Sequence, residues 1–158
     1  MTFRDYRPAD FERLCEIDRC CFEPRVAYSA GEMRAILRHR RAVVIVAENS
    51  RGEVVAFVAA QRRAAGRARD GTGDAAWIVT LDVLPRYRRR GVGRELMRRS
   101  EERLAAAGVR VAVLETAVSN RAAQALYESL GYTFVKRLPR YYASGEDGWR
   151  MEKRLVRA

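Results

Sequence analysis

The stretch that decides the fold reads Leu81-Asp-Val-Leu-Pro-Arg-Tyr-Arg-Arg-Arg-Gly-Val-Gly-Arg-Glu-Leu96. A strand begun at Ala75 runs into it, Pro85 stops that strand, and a helix opens at Gly91-Val-Gly93. The first amides of a helix have no partner inside it, and its dipole adds partial positive charge there. Such a start can seat an anion. Two glycines let a bulky diphosphate approach the backbone closely. Arg86, Arg88, Arg89, Arg90, Arg94, Arg98 and Arg99 crowd the same segment. The third glycine of a dinucleotide fingerprint and the Lys-Ser/Thr of a P-loop are both missing, so nucleotide hydrolysis is not expected. The alternative is a glycine-opened helix with a solvated basic face.

Downstream, the helix Gly91–Ala107 ends at Gly108, and Val109–Ala117 is nearly continuous in apolar residues, as a buried central strand is. Strand, helix and strand together make a crossover, which implies one parallel pair. Ser119–Leu130 follows as a helix capped by Ser/Asn chemistry and ended by Gly131. Strands Tyr132–Leu138 and Trp149–Leu155 close the chain around a loop from Pro139 to Gly148.

Upstream, Thr2–Arg7 alternates as a strand, and Pro8 ends it. Asp10 stands where it can cap the amphipathic helix Ala9–Phe22, whose stripe is Phe11, Leu14, Cys15, Asp18, Cys21 and Phe22. Ser29 and Glu32 have capping-box spacing ahead of a helix that carries Met33, Ile36 and Leu37 inward. Ala42–Glu48 and Glu53–Gln61 form a hairpin through Asn49-Ser-Arg-Gly52. Arg62–Gly73 reads as a mobile polar loop. The expected order is β-α-α-β-β-β-α-β-α-β-β in a single α/β (α+β) domain over residues 1–158. Its sheet is mixed, mostly antiparallel, of about seven strands, with four flanking helices.

Of the 158 residues 48% are apolar, which excludes a wholly disordered chain. The longest apolar runs, Ala42–Ala47 and Val54–Ala60, are strand-length, so no membrane helix is expected. Met1 to Pro8 has no apolar core, so no secretory signal is expected. The net charge is +11, and every basic residue except Lys136 and Lys153 is arginine. That excess suits nucleic acid, a membrane surface or a phosphorylated ligand, or it reflects an arginine-rich solvated surface. Cys15, Cys20 and Cys21 with the lone His39 make no disulfide framework and no zinc spacing. Reduced cysteines in a cytoplasmic protein are expected, with no metal.

Arg88-Arg-Arg-Gly91-Val-Gly93, after a strand and opening a helix, resembles the R/Q-x-x-G-x-G/A acyl-CoA signature of the GNAT acetyltransferase superfamily. The element order is similar over essentially the whole chain. Leu114-Glu-Thr-Ala-Val-Ser-Asn-Arg-Ala-Ala-Gln-Ala-Leu-Tyr-Glu-Ser-Leu-Gly-Tyr132 resembles the RimI branch, which acetylates the N-terminus of a ribosomal protein. Tyr141-Tyr-Ala-Ser-Gly-Glu-Asp147 resembles a loop of archaeal and eukaryotic N-terminal acetyltransferase subunits.

The resemblance implies acetyl-CoA as co-substrate. Loop amides of Arg88, Arg89, Arg90, Gly91, Val92, Gly93 and Arg94 would hold its pyrophosphate. The backbone of Leu81, Asp82 and Val83 would pair with the pantetheine arm, and the amide near Val83 would polarise the thioester. Asn120 would touch the same arm; otherwise it is a helix cap. Tyr127 would protonate the CoA sulfur; otherwise it is core. Tyr28, Tyr141 and Tyr142 would clasp the acceptor; otherwise the two loop tyrosines pack under a turn. Phe22-Glu-Pro-Arg-Val-Ala-Tyr28 departs from the branch, which has an aromatic-proline-tryptophan segment there.

Glu115 can be read from its own strand. By alternation it shares a face with Val111 and Val113, where a carboxylate is unusual. It is assigned as general base through a water, and the resemblance places it on the catalytic base. The alternative is a strand-end carboxylate that reaches solvent or pairs with an arginine. An α-amine has a pKa near 8, so roughly a tenth is neutral near neutral pH, and a modest base suffices.

Three readings follow. The first is acetylation of a protein N-terminus, possibly of a ribosomal protein, by direct transfer in a ternary complex. The second is acetylation of a lysine side chain or a small amine. The third is a basic nucleic-acid-binding module, for which no aromatic-interleaved basic surface appears. No membrane partner is expected, and the protein is expected to be a monomer or a homodimer.

Overall fold

The computed structural model describes residues 1–67 and 74–156. Its elements are β1 (Thr2–Asp5), α1 (Phe11–Cys21), α2 (Ala30–Arg38), β2 (Ala42–Glu48), β3 (Val54–Arg67), β4 (Asp74–Val83), α3 (Val92–Ala106), β5 (Val109–Ala117), α4 (Arg121–Ser129), β6 (Thr133–Leu138) and β7 (Gly148–Arg154). Short 3-10 turns cover Pro8–Asp10 and Pro85–Tyr87. The order is the expected one.

Local chemistry accounts for several element ends. Ser29 Oγ accepts from the Glu32 amide at 3.1 Å, and Glu32 Oε2 accepts from the Ser29 amide at 2.7 Å, which closes the capping box of α2. In the β2–β3 turn, Asn49 Oδ1 accepts from the amides of Arg51 and Glu53, and Gly52 takes φ 76°. Asp10 departs from expectation. It makes no side-chain cap on α1. Its carboxylate accepts instead from Arg4 at 2.8 and 2.9 Å and from the Arg7 amide at 2.8 Å, tying β1 to the turn before α1.

The reading of Arg62–Gly73 as a loop also needs correction. β3 continues through Arg67, which pairs with Asp74 of β4. Residues 68–73 lie outside the described residues. Polar composition hid the strand, because the pairing with β4 that forms that end of it is not written in apolar alternation.

The seven strands make one sheet in the order β1-β2-β3-β4-β5-β7-β6. Every neighbouring pair is antiparallel except β4 with β5, the two strands joined by α3. Core packs on both faces. One side carries Leu96, Met97 and Leu104 of α3 with Tyr127 of α4. The other carries Leu14 and Ile17 of α1 with Met33, Ile36 and Leu37 of α2.

Two irregularities position the site. β4 and β5 pair only from Asp74↔Val109 to Trp77↔Val113, and beyond that β4 has lost its neighbour on this edge. Against β3 the register runs Ala60↔Ile78 and then Ala59↔Thr80, so Val79 is one residue too many and forms a β-bulge.

Candidate active site

A cleft of about 1420 Å³ fills the gap where β4 and β5 part. Its volume exceeds the usual 300–1,000 Å³ or so of a single small-ligand pocket. Its lining draws on β4 (Trp77 to Leu81), β5 (Leu114 to Ala117), α4 (Asn120 to Tyr127), the segment after α1 (Phe22 to Tyr28) and the loop before β7 (Tyr141 to Glu146).

Glu115 is part of this lining. Its Oε1 accepts from Arg150 Nη2 at 2.8 Å and Nε at 3.2 Å, and the two residues are register partners across β5 and β7. The carboxylate is therefore both in the cleft and paired with an arginine. Tyr141 stands beside it. Burial first, and then a hydrogen bond to Glu115, push the Tyr141 phenol up to about 12.

Tyr127 is buried in α4 with its ring edge-to-face on Tyr132, centroids 5.9 Å apart, yet it lines the cleft. Burial, with the Asp82 carboxyl adding to it, raises its phenol well above the usual value, so the hydroxyl stays protonated at any working pH. Asn120 is a helix cap and also a cleft residue. It caps α4 by accepting from the Ala123 amide at 3.1 Å, and it lines the cleft.

The loop before β7 is held by its acidic residues. Asp147 accepts from the Arg140 amide at 2.9 Å and from Arg137 Nε at 2.8 Å. Glu146 Oε1 accepts from the Ser119 amide at 2.8 Å, which latches the loop to the start of α4. Gly145 provides the turn with φ 84°. Tyr141 and Tyr142 meet at 90° with centroids 5.2 Å apart over Gly148, where an added Cβ would come within 3.3 Å of both rings. The packing alternative for these tyrosines and their place in the cleft are both realised.

The expected phosphate seat stands outside the cleft lining, just past the end of β4. Arg89 and Gly91 take φ 61° and 78°, which turns the chain into the start of α3. The first helical bond runs from the Glu95 amide to the Gly91 carbonyl at 3.0 Å, so the amides of Val92, Gly93 and Arg94 precede the helix ladder. Arg88 Nε donates to the Val83 carbonyl at 2.8 Å and braces the turn. A Cβ on Gly93 would meet Leu126, Leu81 and Val83 at 3.5–3.7 Å. Those are ordinary contacts with side chains of β4 and α4 that pack against the start of α3. Of the other expected cofactor residues, Leu81 lines the cleft, whereas the Asp82 side chain is fully buried.

Residues 11–132 match the model of the Acetyltransferase (GNAT) family. The chain belongs to the GNAT acetyltransferase family. Among curated GNAT relatives, N-alpha-acetyltransferase 30 of Schizosaccharomyces pombe is 39% identical over 80 residues, 51% of this chain and 53% of that protein. An N-alpha-acetyltransferase of Sulfurisphaera tokodaii is 40% identical over 75 residues, 47% of this chain and 45% of that protein. The matched stretch thus spans about half the length of these relatives. Among solved structures, the ribosomal-protein-S18-alanine N-acetyltransferase of Escherichia coli superposes with a TM-score of 0.82 at 25% identity, covering 99% of this chain and 95% of that one. NAA60 of Arabidopsis thaliana, in complex with a bisubstrate analogue, gives 0.85 at 22% identity and 99% coverage of both chains. The same protein has also been solved with acetyl-CoA.

Sequence reasoning missed Arg150, Thr80 and Asp18 as site neighbours. Asp18 left a signal, a carboxylate on the apolar stripe of α1. Arg150 left none, since its meeting with Glu115 depends on strand register.

Proposed function

We propose that this GNAT protein transfers the acetyl group of acetyl-CoA to the N-terminal α-amine of a protein, by direct attack in a ternary complex. The observation that carries the reading is that Glu115, Tyr127, Tyr28, Tyr141 and Tyr142 all line one cleft, at the place where β4 lacks a strand partner. Relatives named N-alpha-acetyltransferases support the same acceptor class.

The unpaired edge of β4 from Ile78 to Val83 suits the amides of the pantetheine arm, which would add to it as a strand does. The amides at the start of α3, flanked by Arg88, Arg89, Arg90 and Arg94, suit the pyrophosphate. The α-amine gives its proton to Glu115, directly or through one water, and its nitrogen bonds to the thioester carbonyl carbon. The carbon–sulfur bond then breaks, and the departing sulfur takes the proton of the Tyr127 hydroxyl. Arg150 fixes the orientation of Glu115. Tyr141 and Tyr142 hold the first residues of the acceptor, and such orientation contributes several kcal/mol to lowering a barrier.

Mass spectrometry of two peptides tests this reading. A peptide with a free small N-terminal residue should be acetylated on its α-amine. The same peptide with a blocked terminus and a free lysine should react poorly. Equal or greater modification of the lysine would move the assignment to a side-chain or small-amine acceptor.

A further inference from the structure

Two carboxyl groups beneath the cleft have no part in the chemistry above. Asp18 of α1 and Asp82 of β4 are both completely buried, at 0% exposure. Asp18 Oδ2 accepts from the Tyr28 amide at 2.7 Å, and Asp82 Oδ1 accepts from the Thr80 hydroxyl. The remaining oxygens, Asp18 Oδ1 and Asp82 Oδ2, have no donor, and the two carboxyls face each other within hydrogen-bonding reach.

Two ionised carboxylates so placed would repel at close range with no water to screen them. Each would also keep a buried acceptor without a donor. One proton between the two orphaned oxygens removes both faults, because one carboxyl becomes a donor and the other accepts. The charged and titratable groups that face the pair are Cys15, Arg19 and Cys21 from α1, Tyr28 from the following segment, Glu32 from α2, Arg88 from the turn after β4 and Tyr127 from α4. Neither arginine donates a hydrogen bond to either carboxyl; Arg88 Nε is engaged by the Val83 carbonyl. Burial raises the affinity of both carboxyls for a proton, most strongly at Asp82.

We propose that Asp18 and Asp82 share a single proton, and that this buried acid–carboxylate bridge positions Tyr28 on the acceptor side of the cleft. The inference rests on the reading of that cleft as an amine-acceptor site. Asp82 holds the proton and donates it to Asp18 Oδ1. Asp18 then grips the Tyr28 amide with Oδ2, and the Tyr28 hydroxyl donates to the carbonyl of the bulged Val79 at 3.4 Å. Tyr28 is thus held at its backbone by the bridge and at its ring by the bulge. Removal of the shared proton leaves two adjacent negative charges and releases the segment. Asp18 and Asp82 act here as positioning residues, since neither carboxyl reaches the substrates.

Carbon-13 NMR of aspartate-labelled protein reads the proton directly. One carboxyl should remain in the acid form at neutral pH, and its signal should vanish in Asp82→Asn. Two ionised carboxyls at neutral pH would overturn the proposal. Kinetics with the acceptor peptide read the positioning. Asp18→Ala should raise the acceptor KM about tenfold or more while acetyl-CoA affinity changes by less than about threefold. Asp18→Asn, which keeps an acceptor for the Tyr28 amide, should recover most of that loss. In the wild-type protein the acceptor KM should rise as pH climbs through the upper titration of the bridge, and Asp82→Asn should abolish that rise. An unchanged KM in Asp18→Ala, or the same alkaline rise in Asp82→Asn, would also overturn the proposal. If no peptide is acetylated at all, the proposed function fails, and the NMR signal of the free protein still decides the bridge.

Discussion

Arg150 holds Glu115 from across the β5–β7 pair, with Nη2 at 2.8 Å and Nε at 3.2 Å from the same oxygen, Oε1. A charge-assisted pair of this kind orients a carboxylate more firmly than a neutral hydrogen bond does. Placement in the cleft and pairing with an arginine were alternatives on sequence grounds, and here they coexist. In the proposed mechanism the arginine aims the carboxylate that takes the proton of the amine.

Glu115→Gln keeps the shape and removes the proton acceptor. Turnover should fall by about 10²–10⁴ while acetyl-CoA binding, read by thermal shift, survives. Full activity of the variant from about pH 6 to 9 would make Glu115 a structural residue.

Tyr127→Phe keeps the ring that packs on Tyr132 and removes the hydroxyl of this cleft-lining residue. Turnover should fall by about 10²–10⁴ with little change in melting temperature. Because burial raises this phenol, its ionisation should contribute no alkaline limb to the wild-type rate within the usual assay range. A wild-type rate for the variant would assign the proton to another donor.

Acetyl-CoA at about 100 times its dissociation constant should stabilise the protein by roughly 2.7 kcal/mol, seen as a higher melting temperature. Arg89→Glu with Arg90→Glu reverses the charge beside the start of α3 and should weaken acetyl-CoA about tenfold or more. Gly93→Asp is a poor test of the same point, since its side chain would enter the apolar contact of Leu126, Leu81 and Val83. A melting curve unchanged by millimolar acetyl-CoA would refute the co-substrate.

Asp10 should confer acid-sensitive stability. The Arg4 guanidinium, aided by the Arg7 amide, lowers its carboxyl below the ordinary 3.8. A depressed carboxyl stabilises the fold above its unfolded value and loses that contribution as pH falls through the folded one. Asp10→Asn should therefore cost about 1–3 kcal/mol at neutral pH. The gap between variant and wild type in urea denaturation should narrow as the pH falls below about 4. A gap that stays constant with pH would remove the charge from the account.

The sequence by itself determined the element order, the β2–β3 turn at Asn49–Gly52, the Ser29–Glu32 cap, the strand–helix–strand crossover and the helix start at Gly91. Each of these is written in residues a few positions apart, where periodicity, capping and turn chemistry act. It also put Glu115 on a strand face and Tyr127 on a helix, and the resemblance gave them roles. Only the tertiary structure decided that β4 leaves β5 after Trp77, that Val79 bulges, that Arg150 falls opposite Glu115 and that Asp18 meets Asp82. Strand register and helix docking bring together residues far apart in the chain. They are selected by the packing of whole faces, because a slip of one residue would turn every side chain of a strand to the other side. A local stretch of sequence holds no record of that choice.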